Sequence, residues 1–212
     1  MVKTEIIIST PLITGHISSL LVIIAFMLAV VKKNNIRTLY RLYIVGISVL
    51  ISEMSFNGIS LTKYLWGVLG SLSTTTMLLL LCFIYQKLFD KKIVTNKNLN
   101  FLMLLVVTGA IVLYPLSLGL YYTDPYLAGY GSFLFILSLF IICIFALNTY
   151  HYPALLCICF AAISYSFEIM ESRNLWDYLI DPLLVFFAVF WLAKQSLIKA
   201  TAYFKLKKQQ TK

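Results

Sequence analysis

Glu53 is the residue that first invites a chemical reading of this chain. It lies inside an apolar run, and Asn57 and Ser60 follow it at i+4 and i+7. On one continuous helix those three side chains share a face. An ionisable group inside a membrane-spanning helix costs about 2.5–3.5 kcal/mol on insertion scales and normally faces a bundle interior or a cavity. Glu53 therefore reads either as a site for a cation, a proton or a substrate, or as a hydrogen-bonded link between helices. His16 lies at similar depth in the first apolar run. Imidazole changes charge near neutral pH, so a His16–Glu53 pair would make a proton relay. The plainer reading is a histidine at the headgroup boundary, bonded to a neighbouring helix.

A second group lies in EIMESRNLWDYLID, residues 168–181, where Glu168, Glu171, Asp177 and Asp181 supply four of the eight acidic residues. The stretch reads as a divalent-cation or amine site, because hard cations take oxygen ligands, but no calcium-loop spacing is present. A solvated outer loop with ion pairs to Arg173 is the alternative. Asp181-Pro182 and Asp124-Pro125 fit a helix N-cap followed by a first-turn proline. Asp124 sits in LYYTDPYLAGYG, which reads as a turn. Its Tyr121, Tyr122, Tyr126 and Tyr130 read as an interfacial aromatic belt. The hydroxyl run from Ser71 to Thr76 reads as hydrogen bonding between helices.

Several chemistries lack their residues. There is no HExxH, no G-x-S-x-G and no phosphate-binding loop. The chain's two histidines are too few for a three-histidine zinc site. A retinal-type lysine would stand near the middle of the last helix, and Lys194 lies at its inner end. Cys157 and Cys159 are two apart, about 200° around a helix, so they do not form a metal pair. No metal site and no cofactor are read from the sequence, and whether the protein is an enzyme stays open.

The elements that must carry these groups are membrane helices. The chain is 61% hydrophobic and 12% charged, against about 45–50% and about 25% in soluble domains. The expected fold class is all-α: one transmembrane domain over residues 1–212. A span needs about 20 apolar residues. Runs of that length lie near 12–31, 42–62, 65–86, 101–121, 130–149, 152–170 and 178–197, which predicts a seven-helix bundle. Thr10-Pro11 suits the start of the first helix. The N-terminus lacks a signal peptide's basic region and cleavage site, so the first helix is expected to be retained.

The net charge of +9 comes from lysines and arginines set between apolar runs, the pattern of membrane topology rather than of nucleic-acid binding. Lys32, Lys33, Arg37, Arg41, Lys87, Lys91, Lys92, Lys97, Lys194, Lys199, Lys205, Lys207, Lys208 and Lys212 fall on one side; Lys3, Lys63 and Arg173 fall on the other. This bias predicts the N-terminus outside and the C-terminus in the cytoplasm. The basic tail, 198–212, is expected to lie on anionic lipids of the inner leaflet. Membrane lipids are thus the expected partners, with a homo-oligomer or a partner membrane subunit left open.

In that frame the polar groups of five helices converge on one depth band, above inner halves that are almost wholly apolar. The expected function is a small carrier or permease-like protein of a plasma-type inner membrane. Its outward-facing pocket would take a cation or small polar solute. Glu53 would be central, with His16 and Asn57 beside it and Asp181, Asp177 and Glu168 at the mouth. The alternatives are an enzyme acting on a lipid or lipid-linked substrate at the outer leaflet, and a non-catalytic subunit or sensor.

Overall fold

A computed structural model describes residues 2–31, 37–120, 122 and 124–210, with side chains only between residues 10 and 203 and not at Leu120. Lys32, Lys33, Tyr121 and Lys212 of the expected pattern lie outside the described residues. Lys3, Lys205, Lys207 and Lys208 are described in backbone alone.

The chain is mostly helical. Its helices are α1 (Val2–Val30), α2 (Thr38–Glu53), α3 (Leu61–Leu69), α4 (Thr74–Phe89), α5 (Asn96–Pro115), α6 (Phe133–Asn148), α7 (Tyr152–Ser166), α8 (Leu175–Leu179) and α9 (Pro182–Gln210). Three stretches are long and apolar enough to cross a membrane: Thr10–Val30, Asn96–Gly119 and Pro182–Tyr203. The helices α4, α6 and α7 are apolar but shorter.

Two of the expected spans are broken. The run 42–62 is not one helix: α2 stops at Glu53 and a small antiparallel hairpin follows, pairing β1 (Ser55–Phe56) with β2 (Ile59–Ser60). Asn57 (φ 52°) and Gly58 (φ 80°) form its turn, both in the left-handed region. Asn-Gly is the favoured pair for such a turn, because its twist matches that of the flanking strands. The run 65–86 also divides. Gly70 (φ 68°, ψ −167°) ends α3 in a conformation that suits only glycine. Ser73 then caps α4, its hydroxyl accepting the Thr76 N–H.

The ends of the chain also differ from expectation. Pro11 lies inside α1 rather than at its start. The basic tail is no separate segment, because α9 continues through Gln210. Its 29 residues extend about 43 Å at 1.5 Å each, well beyond a hydrocarbon core about 30 Å thick.

Packing separates two regions. In the first, α1 lies against α2, α3 and α4, around a small core of Ile24, Ala25, Leu28 and Ile84. Gly15 lets the Trp66 indole sit directly on α1, since a Cβ there would collide with the ring. Arg41 joins α2 to the end of α4. Its guanidinium donates to the Lys87 carbonyl (2.7 Å) and pairs with Asp90 (2.6 Å). In the second region α5 runs along α9, and α7 packs on α4, α5, α6 and α8. The larger core lies here, including Met103, Val106, Ala154, Ala161, Tyr178 and Ala188.

Candidate functional site

The sequence-predicted residues fall into two clefts, not one. His16 Nε2 lies 2.9 Å from Glu53 Oε1, with side chains 36% and 54% exposed. His16 also lines a narrow cleft with Leu12, Thr62, Lys63 and Trp66. This pair joins α1 to the last residue of α2, at the surface of the first region. Asn57 does not belong to it. The residue occupies the exposed hairpin turn, so it shares no helical face with Glu53. The i+4 relation holds only within a helix, and α2 ends before it can apply.

Asp177 and Asp181 line a different cavity, of 420 Å³, between α5, α8 and the start of α9. Asp181 is 6% exposed. Its Oδ1 accepts the Leu184 N–H at 2.8 Å, the N-cap bond of α9. Its Oδ2 accepts the Ser73 N–H at 2.9 Å and the Thr76 hydroxyl, both from the first turn of α4. One carboxylate therefore caps two helices, whose N-terminal dipoles both favour its charge.

Asp177 is held otherwise. Its Oδ2 accepts the Tyr126 hydroxyl at 2.8 Å and the Ser172 hydroxyl. Burial raises the Tyr126 phenol above its ordinary pKa, and the bonded Asp177 carboxylate raises it further. The phenol therefore remains a donor across the physiological range. Tyr126 follows Asp124, which caps the short turn Pro125–Tyr130 by accepting the Tyr126 N–H at 2.9 Å.

Glu168 lies outside this cavity, contrary to its expected place at the mouth. It is exposed, with φ 48°, just after α7, and its carboxylate is 4.0 Å from Arg173. Glu171 lines the cavity instead. The reason is local: the chain turns at Glu168, and the segment that follows folds back over the α5 end. Tyr114 and Ser117 of α5 and the turn after it complete the wall with Ser71. Among the described residues, no lysine, arginine or histidine lines this cavity. No group of three His, Cys, Asp or Glu residues is arranged to hold a metal ion among them either.

Asn174 organises this region and was not singled out by sequence. It is fully buried, and its Nδ2 donates to the Tyr126 carbonyl at 2.8 Å while its Oδ1 accepts the Trp176 N–H at 3.0 Å. It packs against Gly129, where a Cβ would collide with the amide. An asparagine just before the apolar LWDYL is an N-cap signal that could have been read. Glu171 offered no comparable signal, because its cavity forms only when α5, α8 and α9 meet.

The chain matches no family model, no curated protein and no solved structure.

Proposed function

We propose that this is a seven-span membrane protein, N-terminus outside and C-terminus in the cytoplasm, that binds a small organic cation in the cavity of Asp177, Asp181 and Glu171. The role is that of a carrier or permease-like protein in a plasma-type membrane. The supporting observation is the uncompensated charge of that cavity: three acidic side chains line it, and no basic residue among those described does. Asp181 is neutralised in part by two helix N-termini. Asp177 accepts from two neutral hydroxyls and caps no second helix, and Glu171 lines the cavity beside it, so these two are the cation-binding pair.

The aromatic wall favours an ammonium over a bare metal ion. Tyr114 and Tyr126 line the same cavity, and ring faces attract ammonium groups. A ligand that binds only the folded chain stabilises it by RT ln(1 + [L]/Kd), about 2.7 kcal/mol at one hundred times Kd. Full-length protein in a non-ionic detergent should therefore unfold at higher temperature with tetramethylammonium chloride than with sodium chloride at equal ionic strength. Asp177→Asn should remove that difference. Equal shifts from both salts, or an unchanged difference in Asp177→Asn, would exclude the reading.

A further inference from the structure

We infer that the acidic cavity is the head of a longer site, whose occupant is an amphiphile with an ammonium head, a hydrogen-bonding linkage and an aliphatic tail. The inference rests on the cation-binding reading of that cavity and extends it. A second cavity, of 540 Å³, lies between α5, α6, α7 and α8. Ile180 is in the wall of both cavities. Around it the chain alternates its faces: Trp176 and Leu179 line the second cavity, while Asp177 and Asp181 line the first. The second cavity is almost wholly apolar, with Leu102, Val106 and Val112 of α5 on one side and Phe135 of α6 on another.

The two cavities are ordered along α5. The acidic one meets α5 at Leu113 and Tyr114, near its end, and Ser117 beyond it. The apolar one meets α5 between Leu102 and Val112, about 15 Å of helix rise. A polar chamber thus stands at the end of a membrane-length helix, with an apolar chamber along the middle of it. A bilayer amphiphile has the same order: head at the surface, tail inward.

Thr75 supplies an independent observation. It is 2% exposed and lines the apolar cavity. No hydrogen bond satisfies its hydroxyl among the described residues, although its neighbour Thr76 bonds Asp181. The first turn of α4 therefore serves both chambers, and the Thr75 hydroxyl is free to donate to a carbonyl placed between head and tail. An acyl ester or amide of an amino alcohol has that layout.

Lauroylcholine carries all three features. Choline is the head alone, dodecyltrimethylammonium lacks the linkage, and laurate reverses the charge. The protein's net charge of +9 favours laurate in any non-specific binding, so a preference for the cation cannot come from bulk electrostatics. The unfolding temperature of the full-length protein in non-ionic detergent is to be titrated with each probe. Lauroylcholine should half-saturate at a concentration at least tenfold below choline, and laurate should give no saturable shift. Thr75→Val should bring lauroylcholine down to the level of dodecyltrimethylammonium. Val112→Trp, at a half-exposed position of the groove, should erase the tail's advantage while leaving the choline shift in place. Glu171→Gln, a surface change that leaves the fold intact, should weaken choline and lauroylcholine alike.

If choline and lauroylcholine half-saturate together, the tail site is wrong and the cation cavity stands. If laurate shifts the protein as lauroylcholine does, tail binding ignores charge and the amphiphile site is wrong, while the cation cavity stands or falls on the choline and tetramethylammonium shifts. If no probe shifts the wild-type protein, both readings fail.

Discussion

Glu53 lies alone in an apolar run and Asp181 at the edge of an acidic stretch, and the fold treats them in opposite ways. Glu53 ends α2 with its side chain half exposed and with the His16 imidazole, itself partly exposed, beside it. Asp181 is buried and accepts from two backbone amides and a hydroxyl on two different helices. Glu53 thus makes a surface contact that solvent can replace, and Asp181 is a buried junction between two helices. A carboxylate beside an apolar run needs partners, but the sequence does not say how many it finds. The number of partners decides which residue holds the fold and which is free for a ligand.

The largest effect should come from removing that junction. Asp181→Ala leaves the Ser73 and Leu184 amides without their acceptor and the Thr76 hydroxyl with Ser73 Oγ alone. Each orphaned buried donor costs about 1–3 kcal/mol, so the variant should lose about 3 kcal/mol or more. Denaturation by SDS titration in mixed micelles should show this as an early midpoint or as a failure to recover folded protein. Asp181→Asn, which keeps an acceptor oxygen, should lie between that variant and wild type. Equal midpoints for all three would show that Asp181 is not a junction, and the contrast with Glu53 would collapse.

Asn174→Ala should come next. It orphans the buried Trp176 N–H and the part-buried Tyr126 carbonyl, at about 2 kcal/mol. It also loosens the turn that carries Tyr126 to Asp177. The variant should therefore lose tetramethylammonium binding as well as stability. Stability lost with binding intact would show that the Asp177 cavity forms without Asn174.

A pH effect of smaller size should arise at the other end of the bundle. His151 Nδ1 lies 3.0 Å from Asn98 Oδ1, and the ring stacks on Phe101. Burial lowers the His151 pKa, and the Lys97 ammonium lowers it further. The folded chain thus resists protonation that the unfolded chain accepts near pH 6.5. The contribution of His151 is complete above that pH and is lost as pH falls toward the depressed folded value. The SDS midpoint should decline between pH 7.5 and pH 5, and His151→Gln should flatten that decline. An equal decline in His151→Gln would assign it to other groups.

Local chemistry was legible in the sequence, and pairing across the fold was not. Asp181-Pro182 reads as a cap because an N-cap and a first-turn proline need only their immediate neighbours, and Asp181 does accept the Leu184 N–H. The Asn57-Gly58 turn was equally local. It was obscured because Met54, Phe56 and Ile59 kept the hydropathy of a span going across the hairpin. The second partner set of Asp181, on α4, lies more than one hundred residues away and has no sequence signature. Arg41 counted in the sequence only as a topological charge, yet it satisfies the carbonyl end of α4. Depth along a helix is one coordinate. Which cleft a side chain enters depends on rotation and on neighbours, so residues at one depth were divided between two clefts.

The smallest effect is expected at the residue that drew attention first. Glu53→Gln removes one carboxylate–imidazole contact between partly exposed groups, and even a fully charged exposed pair contributes only about 0.2–1 kcal/mol. The amide can still accept from His16 Nε2, and Ser52 already bonds the Val49 carbonyl rather than depending on Glu53. The loss should be about 0.5 kcal/mol or less, and it should shrink further in high salt as screening replaces the pair. Tetramethylammonium binding should be unchanged, because Glu53 does not line the Asp177 cavity. A large loss of binding in Glu53→Gln with stability intact would reverse the comparison. It would make the His16–Glu53 pair the ligand site and leave the acidic cavity as structure alone.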